Sequence, residues 1–173
     1  MSWQDYVNAY IVNYVDQATS KTYLNACEAG GIISNTDGTV WASSAGFNFG
    51  KYETEVAKDD GSGSTKLQID EFANLKNAFD NNGTCTATGG VRINREKYFI
   101  VSYDSDRRVM YLKKNGGGGA VARSNQALVI GTFSTSKKTS VQTTAGTTEQ
   151  AQSPGLCNTG VEKLQEFLVS NNL

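Results

Sequence analysis

The chain contains no histidine. Ser-His-Asp and Cys-His nucleophilic sites are thereby excluded, as is every imidazole-based metal site. Cysteine is scarce: Cys27, Cys85 and Cys157 are odd in number, far apart and form no CxxC pair. They read as neither a disulfide framework nor a zinc site, and free, buried thiols are expected. No apolar run reaches the ~18 residues that a membrane-spanning helix needs. The first residues lack the basic-then-apolar order of a secretory signal, so a cytoplasmic location is expected. Charge of either sign is not in excess: the net charge is −1, which gives no global pull toward nucleic acid or a lipid surface. The glycine run in "NGGGG" lacks the GxxxxGK[ST] spacing of a phosphate loop and opens no helix; a hairpin with positive-φ glycines is expected there. Asp59, Asp60, Asp70 and Glu71 lie in or beside a loop and read as solvated charge, not as an acid–base pair. Nothing in this inventory supports catalysis, a cofactor or a resident metal.

What is present suffices for one domain. Hydrophobic residues make up 38% of 173, enough for a core of ordinary size. Ser2 is a good helix N-cap with Asp5 three residues on, and a helix is expected from about Ser2 to Asp16. Asp37-Gly38 between GGII and TVWA marks a β-hairpin. "KYETEVAKDDGSGSTKLQ" reads as a short helix or loop leading into a flexible insertion near 58–68. Ile69, Phe72, Leu75, Ala78 and Phe79 recur at helical spacing behind Asp70, a plausible N-cap. From residue 90 the period becomes two, and "VRINREKYFIVSYD", "RRVMYLKKN", "GGAVARSN" and "QALVIGTFS" predict an antiparallel meander. The Thr/Gln/Ser-rich stretch at 135–152 lacks an apolar pattern and reads as a second flexible insertion. The only proline, Pro154, sits at the start of a last helix with Leu156, Cys157, Val161, Leu164 and Leu168 as its apolar stripe. The fold class is α+β: a central antiparallel sheet carrying the terminal helices.

The first helix is unusual in its aromatics. At ~100° per residue, Val7, Ile11 and Val15 share one arc, and Trp3, Tyr6, Tyr10 and Tyr14 the adjoining one. The aliphatic arc suits a core. Rings with a polar handle suit its wet shoulder. They either cap the sheet edge or form a platform for a flat apolar ligand, for which a polyproline II peptide is the natural candidate, being stiff before it binds. Trp41 and Phe167 are further candidate walls.

"MSWQDYV", "DGTVWASSAGF", "QALVIGTF" and "PGLCNTGVEKLQEFL" together resemble the profilin family. The likeness runs in order over most of the chain and weakens at 50–88 and 134–152. The resemblance implies terminal helices side by side on one face of the sheet and smaller helices on the other. It implies a polyproline groove made of Trp3, Tyr6, Trp41 and Phe167, with Leu173 at the tip in place of a frequent aromatic residue. Tyr10 and Tyr14 match no groove position, and packing is their expected role. It implies binding of monomeric actin through Lys113, Lys114, Gly117, Gly118 and Asn158. Tyr111 and Thr159 stand where the family often has basic residues, so weakened actin binding is expected. Arg107, Arg108, Lys113, Lys114 and Arg123 gather positive charge on neighbouring strands. That cluster is a solvated sheet edge, an actin contact, or a site for phosphatidylinositol bisphosphate. The implied protein is a monomer that regulates actin filament assembly in the cytoskeleton, with actin and proline-rich proteins such as formins as partners and no nucleic acid. The alternative is an adaptor for proline-rich peptides or phosphoinositides with weak or lost actin binding.

Overall fold

The computed structural model describes residues 1–173. The chain begins with the capping box that its second residue advertises. Ser2 Oγ accepts from the Asp5 N–H at 3.1 Å, and the Asp5 carboxylate accepts from the Ser2 N–H at 2.8 Å. Helix α1 (Trp3–Tyr6) follows and continues as a π-helical stretch over Val7–Val12. The expected helix to Asp16 therefore stops early. Asn13 is already extended, and Asn13–Asp16 forms strand β1, antiparallel to β2 (Lys21–Leu24). The reason lies in Asp16, whose carboxylate accepts from the Ala18 N–H and the Thr19 hydroxyl and closes a turn. Tyr14 then stacks across the hairpin on Tyr23, ring centroids 6.2 Å apart. Val7 and Ile11 are fully buried as expected, whereas Val15 is 44% exposed.

The remaining elements are β3 (Ala29–Ser34), β4 (Val40–Ser43), β5 (Lys51–Ala57), β6 (Ser64–Asp70), α2 (Glu71–Asp80), β7 (Val91–Ile93), β8 (Glu96–Asp104), β9 (Val109–Lys114), β10 (Gly117–Arg123), β11 (Ala127–Ser134), β12 (Lys138–Thr143), β13 (Gly146–Ala151) and α3 (Pro154–Ser170). Seven strands form the central sheet in the order β4-β3-β11-β10-β9-β8-β7, each antiparallel to its neighbours. The meander and the Asp37-Gly38 hairpin are as the sequence predicts.

The sheet carries apolar residues on both faces, so period two sorts each strand into two cores. Ile32, Val109, Ala120, Ala122, Ala127, Val129 and Phe133 face Val7, Ile11, Val161, Leu164 and Leu168 of the terminal helices. Ile33, Met110, Val121, Leu128 and Ile130 face Leu75, Ala78 and Phe79 of α2. The terminal helices thus share one face and the smaller helix covers the other. Their close crossing requires Gly160 of α3, where a methyl group would collide with the Tyr10 carbonyl oxygen.

Both segments expected to be irregular are β-hairpins. Tyr52, Thr54 and Val56 alternate with Lys51, Glu53 and Glu55, so β5 and β6 pair as a two-stranded ribbon. Period two was present there beneath the charge. In the second segment, threonine does what valine does elsewhere. Thr139 is fully buried, its hydroxyl donating to the Asn25 carbonyl, and Val141 is 7% exposed. Here β12 pairs with both β13 and β2, which makes a four-stranded sheet in the order β1-β2-β12-β13. Gln152 ties it to the body, donating to Asn25 O and accepting from the Ser134 N–H.

Glu71 departs furthest from its expected role. Asp70 caps α2 by accepting from the Ala73 N–H at 3.0 Å, as expected, but Glu71 beside it is fully buried. Its carboxylate accepts from the Arg95 N–H at 2.9 Å, the Gly50 N–H at 3.1 Å and the Tyr52 hydroxyl at 3.2 Å. Burial pushes its pKa above the ordinary 4.5 despite those donors. Replacing Glu71 with Ala should orphan them and destabilise the fold by roughly 2–3 kcal/mol. The folded state also takes up the Glu71 proton at a higher pH than the unfolded chain. This contribution to stability is therefore greatest below 4.5 and is lost as pH rises through the raised folded value. Urea denaturation over that window should show the wild type losing stability relative to Glu71→Gln as pH rises.

Candidate functional site

The capping box fixes where the first helix starts, and its π-helical continuation lies across α3. Together they bring the aromatic side chains onto the shoulder of the helix-side core. Trp3, Tyr6, Tyr10, Trp41, Phe167 and Leu173 are all partly buried against it. The indoles of Trp3 and Trp41 lie 4.9 Å apart, tilted at 38°. Tyr6 meets Trp3 edge-on at 6.1 Å and Phe167 at 5.1 Å. Tyr10 stacks on the other side of Phe167 at 6.3 Å. The rings therefore run without a gap from β4 through the first helix to α3 and back. The steps of 4.9–6.3 Å are ordinary aromatic contact distances, so the rings touch in series.

Leu173 is held by backbone, its N–H donating to Leu168 O and its carbonyl accepting from the Asn125 N–H, each at 2.9 Å. It packs on the core and makes no ring stack. Tyr10 was expected only to pack, yet it both extends the ring series and lines an apolar cleft with Met1, Ala9, Tyr14 and Val15. A helical wheel with 3.6 residues per turn gives no means of separating Tyr10 from Tyr14. The strand break after Val12 does so, sending Tyr14 to Tyr23.

The basic residues do not form one patch. Arg107 and Arg108 lie in the β8–β9 turn, with the Arg108 carbonyl accepting from the Arg123 N–H. Lys113 and Lys114 lie at the far end of β9, about 15 Å along the strand. These two lysines point to opposite faces, as neighbours on a strand must. Lys113 is exposed on the helix face, whereas Lys114 is only 9% exposed and bonds Glu28 at 3.1 Å and Glu96 at 3.0 Å. Burial depresses the Lys114 ammonium, but its hydrogen bonds to Glu96 and Glu28 and the nearby Tyr98 hold its pKa above the ordinary value. Arg107 is clasped by Glu162 and Glu166 of α3, both at 3.2 Å, and Arg123 lies 3.7 Å from Asp80.

Gly117 and Gly118 are strand residues without room for a side chain, against Phe133 O and Leu112 O respectively. The expected positive φ in this hairpin occurs at Gly116 alone of the run. Asn158, in the first turns of α3, is half-buried, and its Oδ1 is shielded without a hydrogen-bond partner. Tyr111 donates its hydroxyl to Glu162 at 2.6 Å; burial, then this bond, pushes its pKa up to about 12. Thr159 donates its hydroxyl to the Gly155 carbonyl one turn earlier.

An exposed apolar pair went unnoticed in the sequence. Phe99 and Val101 of β8 are 65% and 63% exposed, and Phe99 lies opposite Lys113 in the ladder. Period two carried the signal. With Tyr98 and Ile100 turned toward the α2 core, Phe99 must face the other way.

A family model, Profilin, matches residues 1–173. The chain belongs to the profilin family. It is 42% identical to the profilin of Tetrahymena pyriformis over 158 residues, which cover 90% of this chain and 93% of that one. Among solved structures, Acanthamoeba castellanii profilin II superposes with a TM-score of 0.63 at 24% identity, covering 99% of this chain and all of the other. Schizosaccharomyces pombe profilin gives 0.62 at 20% identity with the same coverage. At such identities the structural matches speak for the fold alone. The family is one of actin-monomer- and polyproline-binding proteins.

The two lysines of this profilin are therefore expected to behave differently. Lys114→Met strands two carboxylates and should lower urea stability by roughly 1–3 kcal/mol. Lys113→Ala should leave it within about 0.5 kcal/mol.

Proposed function

We propose that this profilin binds proline-rich segments on the surface running from Trp41 to Tyr10, and monomeric actin on the face carrying Lys113, Phe99, Val101 and the start of α3. The observation that carries the first half is the contact between Trp3 and Trp41, at 4.9 Å and only partly buried. Two indoles brought together from distant parts of the chain and left half-open are of little use to a core, which aliphatic residues already fill. They suit proline rings, which pack on aromatic faces without losing conformational freedom they did not have. Leu173 closes the end of α3 and contributes apolar surface.

The second half rests on family membership and on an exposed apolar pair beside a cation that makes no ion pair. Gly117 and Gly118 act through backbone, since neither has room for a side chain, while Asn158 holds a shielded, unpaired Oδ1 at the start of α3. Tyr111 and Thr159 spend their hydroxyls inside the chain, on Glu162 and Gly155, which supports actin affinity below that usual in the family. Holding actin and a formin-like proline tract at once raises the local actin concentration, so the protein regulates filament assembly. It is a binding protein of the cytoplasmic cytoskeleton; no helix is long and apolar enough to cross a membrane. Phosphatidylinositol bisphosphate is the weaker reading. An anionic headgroup would have to draw Arg107 from Glu162 and Glu166, Arg123 from Asp80 and Lys114 from its two carboxylates.

Titration with polyproline should shift the tryptophan emission, since Trp3 and Trp41 are the only tryptophans. Trp3→Ala and Trp41→Ala should each weaken binding about tenfold or more, Tyr10→Ala by less, and Tyr14→Ala not measurably. An unchanged emission at saturating peptide sinks the groove. In sedimentation with monomeric actin, Lys113→Ala and Phe99→Ser should each lower the affinity further. Wild-type binding at the tight end of profilin behaviour contradicts the assigned roles of Tyr111 and Thr159.

A further inference from the structure

The helix-side core contains a pair of thiols that none of these binding roles uses. Cys27, just before β3, and Cys157, in the first turn of α3, are 130 residues apart in sequence, yet their sulfurs lie 2.6 Å apart. Both are free, at 7% and 0% exposure. The third thiol, Cys85, belongs to the other core and touches neither.

Three further observations bear on the pair. Space for it is made by Gly131 of β11, where a methyl group would stand 3.1 Å from one sulfur and 3.2 Å from the other. The two thiols differ in access: Cys157 is sealed, whereas Cys27 lines an open, polar cavity of about 370 Å³ with Asn25, Glu28, Lys137, Lys138 and Gln152. At Cys157, burial and then the contact with Cys27 hold the thiol well above its ordinary pKa, so it stays protonated while its partner reacts.

We propose that Cys27 and Cys157 are a peroxide-oxidised pair, with Cys27 the thiol attacked and Cys157 the one that resolves it. Cys27 Sγ attacks hydrogen peroxide: an S–O bond forms, the O–O bond breaks, and the departing hydroxide leaves as water with the thiol proton. Cys157 Sγ then attacks the sulfenic sulfur: an S–S bond forms, the S–O bond breaks, and a second water leaves with the Cys157 proton. Peroxide is reduced, two thiols are oxidised, and the chain loses two hydrogens. The resulting bond ties the entrance of β3 to the first turn of α3. In a reducing compartment such a bond is transient and reports on oxidant.

The test uses the full chain treated with hydrogen peroxide, then intact mass and a non-reducing tryptic map. The expected result is a mass lower by ~2 Da from loss of two hydrogens, and a cross-link between the peptide of residues 22–51 and that of residues 139–163. The peptide of residues 77–92, with Cys85, should remain unlinked. Thiol reagent restores the original mass, and the oxidised form melts roughly 10 °C higher because so long a loop is closed. Cys157→Ala should trap oxygen on Cys27, seen as a gain of ~16 Da, while Cys27→Ser should leave Cys157 unmodified. If the wild type instead gains oxygen without a cross-link, is linked through Cys85, or is unchanged by peroxide that oxidises Cys157→Ala, the assignment is overturned. If neither protein reacts, Cys27 is inaccessible and the proposal fails.

Discussion

The crossing of the first helix over α3 is the contact on which the surface chemistry depends. Gly160 lets the Tyr10 backbone come close enough that Tyr6 and Tyr10 embrace Phe167 from both sides. A wider crossing would still bury Val7, Ile11, Val161 and Leu164, and the core would tolerate it better than the surface would. The rings cannot follow, because their mutual distances are set by the helix axes. Packing thus sets the geometry of the proposed proline-binding surface through a residue that contributes no ring to it.

Electrostatics follows a similar logic of use within the chain. Of the five basic residues grouped from the sequence, Arg107, Lys114 and Arg123 already have carboxylates of their own, and only Lys113 and Arg108 do not. Arg107 fastens the β8–β9 turn to α3, and Lys114 fastens β9 to the residues before β3 and to β8. Glu71 does the same with backbone donors at the root of the β5–β6 ribbon.

Much of this was legible in the amino acids, and the exceptions share a cause. Ser2 with Asp5, Asp37-Gly38, Asp70 and Pro154 are local signals, and each marks the element boundary it should. Trp3, Tyr6, Trp41 and Phe167 were found because a family resemblance supplied their convergence, which no local rule contains. The errors arose where one periodicity imitated another or was hidden by composition. Val7, Ile11 and Val15 fit a helix, although Asp16 closes a hairpin around the last of them. The Thr-rich β12 buries Thr139 by satisfying its hydroxyl, which hydropathy scores as a loop. Grouping Lys113 with Lys114 ignored that adjacent strand residues face apart. Glu71 looked solvated because its three donors come from Gly50, Tyr52 and Arg95, none of them its neighbour in sequence.

The π-helical stretch at Val7–Val12 has a consequence for how such a surface can vary. A π turn holds one more residue than an α turn over nearly the same axial distance, so it absorbs an insertion without lengthening the helix. Chain length before and after it can drift between homologues while the start of the helix and the chain's exit into β1 stay where the sheet needs them. What changes is azimuth. A single residue gained or lost inside that stretch would swing the Tyr10 ring around the axis relative to Trp3 and Tyr6, altering the length of the proposed proline-binding surface.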